Sequence, residues 1–141
     1  MMKAFIDTNV LIYWLDAGPR ADQVELLLAG DAVISVQVLN EFANVLRKKR
    51  KASVVMIQNL VDTLLDTCTV SDLTVRMHRG AMDLVQRYGF SVYDANIVAA
   101  AAEMGCAVVY SEDMQHGMSL KLPKSLGGAA LSIKNPFKQG N

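Results

Sequence analysis

The segment Lys3-Ala4-Phe5-Ile6-Asp7-Thr8-Asn9 sets an aspartate directly behind a short apolar run, and a new apolar series, Val10, Leu11, Ile12, Trp14 and Leu15, follows at once. A brief apolar run bounded by polar residues suits a strand buried on both faces. Apolar residues at 10, 11, 14 and 15 form one stripe of a helix. The spacing therefore predicts a strand, then Asp7, then a helix. In open α/β sheets, ligand sites are built at such junctions, outside the carboxyl ends of the strands. Asp7 or Thr8 can equally be a helix cap, since both residue types favour that position. The site reading gains ground only if other acids reach the same edge.

The rest of the chain repeats the alternation. Asp16-Ala17-Gly18-Pro19 is a turn cluster, and Ala21, Val24, Leu27 and Leu28 give a second helix closed near Gly30. Ala32-Val33-Ile34, ending at Ser35, reads as the next strand. A long helix follows, with Val38, Leu39, Phe42, Val45 and Leu46 as its stripe and Glu41 beside that stripe, within reach of the strand edge. Met56 to Leu65 form an amphipathic helix that pairs with it as a hairpin. Thr67 to Val70 is a short extended segment, and Val75 to Tyr88 a helix stopped by Gly89. His78, on this helix, is assigned no role. Ser91-Val92-Tyr93-Asp94 has the form of a capping box before an alanine-rich helix from Ala95 to Met104. Ala107 to Tyr110 is a second clear buried strand, followed directly by Ser111, Glu112 and Asp113. Leu131-Ser132-Ile133 is a last strand candidate. Residues 1–137 make one domain, 138–141 a frayed tail, and Met118 to Gly128 carries the weakest pattern.

Lys+Arg and Asp+Glu both number 14, so the chain is formally neutral, which weighs against a protein that coats nucleic acid by bulk charge. The dense cluster Arg47, Lys48, Lys49, Arg50 and Lys51 at the end of the Glu41 helix is the exception. It reads either as a solvated helix terminus or as an arm contacting RNA phosphates. Cys68 and Cys106 lie in apolar contexts without metal spacing and read as small buried hydrophobes. No segment has the form of a signal core or a membrane span, so a soluble cytoplasmic protein is expected.

Alternating strands and helices indicate an α/β fold with a parallel sheet whose strands all end on one edge. Asp7 and Asp113 end strands there, and Asp94 and Glu41 open helices at or near it. Carboxylates that close together raise one another's pKa unless a cation is present. Hard oxygen ligands suit Mg²⁺ or Mn²⁺, and such a metal activates water and neutralises charge at phosphorus.

Phe5-Ile6-Asp7-Thr8-Asn9-Val10-Leu11, Asn40-Glu41, Tyr93-Asp94-Ala95 and Ser111-Glu112-Asp113 resemble, in order and spacing, the PIN domain, and within that superfamily the VapC-type toxins of prokaryotic toxin–antitoxin pairs. Any one motif is weak; the ordered set is specific and spans nearly the whole chain. The resemblance implies a three-layer α/β/α fold with a mainly parallel sheet. It implies a Mg²⁺- or Mn²⁺-dependent endoribonuclease, with Asp7, Glu41, Asp94 and Asp113 as the acidic quartet. Asp7, Asp94 and Asp113 would hold the metal, with Ser111 and Asn9 supporting them, while Glu112 stays open as a rim acid. A cognate antitoxin and a homodimer are implied too, with Trp14 and the helices after Val54 supplying an apolar face. Two other functions compete. An aspartyl-phosphate phosphatase also starts from an aspartate behind a strand, but usually carries a second Asp where Asn9 stands here. A catalytically silent binding module would not need the complete quartet.

Overall fold

A computed structural model describes residues 2–138, and its architecture follows from the pattern of buried runs. Strand β1 (Ala4–Ile6) leads into a single α-helical turn, α1 (Thr8–Leu11), which tightens into a 3₁₀ turn at Ile12–Leu15. Helix α2 (Pro19–Ala29), strand β2 (Ala32–Ser35), helices α3 (Val36–Lys48) and α4 (Val54–Thr67) and strand β3 (Thr69–Ser71) follow. Helices α5 (Val75–Tyr88) and α6 (Val92–Glu103) then precede strands β4 (Val108–Tyr110), β5 (Ser119–Lys121) and β6 (Ala130–Lys134). These form one six-stranded sheet in the order β3-β2-β1-β4-β6-β5. All neighbours are parallel except β5, which runs antiparallel to β6. Every residue of β2 is buried, as in a sheet covered by helices on both faces in three layers.

From β1 the chain adds β2 and then β3 on one side, and β4 and β6 lie on the other. The strand order therefore reverses between β1 and β4, the switch point at which open α/β sheets bind ligands. The Asp7 amide donates to Tyr110 O at 2.9 Å and the Ser111 amide to Lys134 O at 3.0 Å, so the ends of β1, β4 and β6 are stitched together at that edge.

The helices begin where their sequences cap them. Ser35, Ser53, Thr74 and Ser91 each accept a bond from the amide three residues on, at the starts of α3, α4, α5 and α6. Gly89, at φ 73°, closes α5 in the left-handed conformation glycine adopts without strain. In α3, Val38, Phe42 and Leu46 face the core, which leaves Glu41 on the neighbouring exposed face. Alanines keep α6 thin enough to lie close on the sheet, with Ala95, Ala99, Ala100 and Ala101 all fully buried.

Several expectations need correction. The apolar series at 10 to 15 is one α-helical turn and a 3₁₀ turn rather than a continuous helix. The segment from Met118 to Gly128 contains β5, a short edge strand that buries only Leu120. The Tyr88 hydroxyl covers β5 by donating to Lys121 O at 2.9 Å and accepting from Lys121 N at 3.0 Å. Trp14 stacks on Phe42 at 6.5 Å, donates to Glu25 and stays half-buried. Exposed Val54, Val55, Met56 and Leu65 on α4 are the apolar face that remains there. Lys138 bonds back to Asn135, and the rest of the expected frayed tail, 139–141, lies outside the described residues. Among the described residues no helix is long and apolar enough to cross a membrane.

Candidate active site

Asp7 ends β1 and caps α1, so the cap and site readings are both realised. Only 6 % of its surface is exposed. The Thr8 amide donates to Oδ1 at 2.7 Å, and the Ser111 hydroxyl and the Asn9 amide nitrogen donate to Oδ2 at 2.8 and 3.2 Å. Asn9 also spans the switch point: its Nδ2 reaches Ser111 Oγ at 3.3 Å and its Oδ1 accepts the Glu112 amide at 2.9 Å. Asn9 and Ser111 thus tie the end of β1 to the end of β4 and hold Asp7 in one orientation.

Asp7, Glu41, Asp94 and Asp113 line one cleft of about 380 Å³ at the carboxyl edge of the sheet. Their charges reach one another. Asp7 has its pKa raised from 3.8 to about 6, first by burial, against the bonds from Ser111 and Thr8, and further by the charges of Glu41 and Asp94. Asp94 is also raised, by burial first and then by Asp113, with the Ser91 hydrogen bond pulling the other way. The four acids thus form an electrostatic chain, Glu41 to Asp7 to Asp94 to Asp113. Gln37, which sequence reading missed, steadies this wall: its Nε2 donates to Glu41 Oε1 at 2.9 Å and to the Tyr93 carbonyl at 3.5 Å. The signal was present, since Gln37 precedes Glu41 by one helical repeat of four.

Glu112 and Asp113 both line the cleft but differ in their partners. The Glu112 carboxylate accepts from the Tyr13 hydroxyl at 3.1 Å and pairs with Arg20 at 3.4 Å. Arg20 in turn lies over the rings of Tyr13 and Phe137, so Glu112 is spent on the rim. Asp113 is exposed to the cleft and has no hydrogen-bond partner among the described residues. The basic run is divided in a way its sequence conceals. Helix α3 stops at Lys48, Lys49 caps it, and Lys51 takes a left-handed φ of 54°. Arg50 is turned away to grip Asp16 at 2.7 and 3.2 Å, which holds the Asp16 carboxyl below its usual range. Only Lys49 of the five lines the cleft.

The PIN domain model matches residues 4–116, which include all four acids, Asn9 and Ser111. The chain belongs to the PIN domain family. No curated protein matches its sequence significantly. Solved structures share the fold. VapC20 of Mycobacterium tuberculosis, described as a Sarcin-Ricin loop cleaving toxin, is 22 % identical with a TM-score of 0.61, over 78 % of this chain and 89 % of that one. A toxin–antitoxin complex from Klebsiella pneumoniae gives 18 % and 0.67, over 96 % and 98 %. DNA-bound VapBC from Salmonella typhimurium gives 19 % and 0.65, over 96 % and 99 %.

In this PIN domain the acids are spread around the cleft. Among the described residues no group of three or more His, Cys, Asp and Glu side chains is gathered tightly enough to enclose an ion. Both cysteines are buried, and burial lifts their thiol pKa values to about 11 and about 12, so they offer no soft thiolate. Carboxylates disposed around an open cleft fit a hard cation that keeps water and substrate oxygens in its shell, as Mg²⁺ does.

The raised pKa of Asp7 has a definite sign. A carboxyl that binds its proton more tightly when folded adds stability below about 3.8 and loses it as pH rises through about 6. At 1.36 kcal/mol per pH unit the ionised fold is penalised by roughly 3 kcal/mol. Without divalent ions, Asp7→Asn should therefore melt at the parent's temperature below pH 4 and progressively above it between pH 4 and 6. A melting temperature that falls at pH 7 would show that the Asp7 charge supports the fold rather than straining it.

Proposed function

We propose that this PIN domain is a divalent-metal-dependent endoribonuclease and the toxin partner of a toxin–antitoxin pair. The observation that carries the reading is the gathering of four carboxylates around one cleft at the switch point, where Asp7 and Asp94 are held above their usual carboxylate range. Such a cluster is tolerable at neutral pH once a cation is held there. Asp7, Asp94 and Asp113 would hold one or two Mg²⁺ or Mn²⁺ ions, with Glu41 acting directly or through water. The cation, when bound, supplies water activation and charge neutralisation at phosphorus. Ser111, Asn9 and the Thr8 amide hold the Asp7 carboxylate in place, and Gln37 orients Glu41. Lys49, at the lip of an otherwise acidic cleft, takes a backbone phosphate of the RNA. The phosphatase reading is weakened further by Asn9, whose amide is wholly engaged in bonds to Asp7, Ser111 and Glu112. A silent module leaves the strained quartet without a purpose.

The structural neighbours, a loop-cleaving toxin and toxin–antitoxin complexes, support RNA as substrate and an antitoxin as partner. The exposed apolar residues of α4 offer either that partner or a second copy of the chain a face to cover. A homodimer is expected for the isolated chain; sedimentation velocity that finds only monomer at high micromolar concentration would refute it.

Cleavage of an end-labelled single-stranded RNA tests the activity. It should require Mg²⁺ or Mn²⁺, stop with EDTA and leave 5′-phosphate ends. Removing partners around a metal's ligands already costs about 10–100-fold, so Asp113→Asn should cost more than about a hundredfold while the melting temperature holds. Lys49→Gln should raise KM and flatten the salt dependence of binding by roughly 0.7 in log–log slope, one phosphate contact's worth. Full activity in EDTA, or in Asp113→Asn, would end the metal-nuclease reading.

A further inference from the structure

Tyr93 is 74 % exposed on the first turn of α6, beside Val92, itself 44 % exposed. It lines the acidic cleft and precedes Asp94 directly. The cleft's other aromatic residue, Tyr13, is fully engaged: it packs edge-on against Phe137 at 5.0 Å, carries Arg20 over its ring and donates its hydroxyl to Glu112. Tyr93 differs. Among the described residues its ring has no aromatic or cationic partner and its hydroxyl has no hydrogen bond. Its mount, however, is fixed, because Gln37 holds the Tyr93 carbonyl and the Ser91 hydroxyl accepts the Asp94 amide at 3.1 Å. A large amphipathic ring with an idle face, on a rigid turn at the mouth of a cleft, is built to cover something flat and apolar.

We propose that Tyr93 is the stacking platform for one unpaired base of the RNA, next to the phosphate that the acids process; the proposal rests on the nuclease reading above. The charge balance favours a neutral anchor. The chain has no net positive charge, Arg50 is committed to Asp16, and Lys49 is the single cation of its run at the cleft. Backbone attraction alone therefore holds a polyanion weakly against four carboxylates. Stacking adds affinity without adding charge and tolerates any base, since every base has a π-face. It also selects the substrate's form. A base inside a duplex has both faces covered, so only single strands, loops or bulges can offer one to Tyr93.

The test compares the full-length parent with Tyr93→Ala and Tyr93→Phe on one RNA oligonucleotide, presented single-stranded and then annealed to its complement, with Mg²⁺. Because the side chain is exposed, both variants should melt as the parent does. Tyr93→Ala should raise KM for the single strand about five- to a hundredfold, the range found when stacked aromatics are truncated, with kcat and the salt slope retained. Its preference for single strand over duplex should shrink accordingly. Tyr93→Phe should restore the parent's KM, because the ring and not the hydroxyl is used. In binding without Mg²⁺, a 2-aminopurine base in the oligonucleotide should be quenched by the parent and by Tyr93→Phe, and not by Tyr93→Ala. A Tyr93→Ala variant with the parent's KM and strand preference overturns the proposal. So does a Tyr93→Phe variant that behaves like Tyr93→Ala, or a Tyr93→Ala variant whose only change is in self-association, which would make Tyr93 a protein contact. If the parent cuts no RNA, the nuclease reading fails separately, and 2-aminopurine quenching still decides the stacking.

Discussion

The structure turns on one buried carboxylate. Asp7 sits at the end of β1, almost out of water, where ionisation is resisted by burial and by two neighbouring acids. Three donors partly compensate: the Thr8 amide, the Ser111 hydroxyl and the Asn9 side chain. A fold seeking only stability has simpler solutions, since an asparagine at this helix cap would keep a side-chain acceptor without the charge. On the function proposed above, the acid is a ligand whose charge a cation completes. The same bonds that soften its burial also fix its orientation, so support and preorganisation come from the same residues.

The fold's topology makes the cluster possible. Because strand order reverses between β1 and β4, Asp7 and the Ser111–Asp113 segment leave adjacent parallel strands at one edge. Glu41 enters from the exposed side of α3, whose buried face is set by Val38, Phe42 and Leu46. Asp94 enters on the capped first turn of α6, a helix that its alanines allow to lie tightly on the sheet. Four distant segments are thereby brought to one opening. The cleft's remaining features sort by whether they are engaged. Glu112, Tyr13 and Arg20 bind one another at the rim, while Asp113, Lys49 and Tyr93 face the opening.

Much of this was legible in the residues. Apolar runs ending in acids located β1 and β4, and the Ser91 capping box marked the start of α6, because these signals are local. The quartet became specific only as an ordered set, since Asp7 and Asp94 each make ordinary caps and Glu41 an ordinary exposed helix acid. The features missed depend on contacts between distant segments. Strand β5 buries a single side chain, Leu120, so no apolar pattern announces it, and its edge is completed by Tyr88 from α5. The five-residue basic run looks uniform until Asp16, thirty-four residues from Arg50, claims one of its members. Trp14 reads as a spare apolar residue until Phe42 covers it.

The central claim is that the strained quartet exists to hold a cation. Anomalous diffraction from crystals soaked in Mn²⁺ tests it most directly. The account requires a peak in the cleft, about 2.1 Å from an Asp7 oxygen, with Asp94 or Asp113 completing the protein's share, and its loss in Asp7→Asn crystals. An empty cleft in crystals that bind Mn²⁺ elsewhere, or an ion held by other residues with the four acids idle, would contradict it.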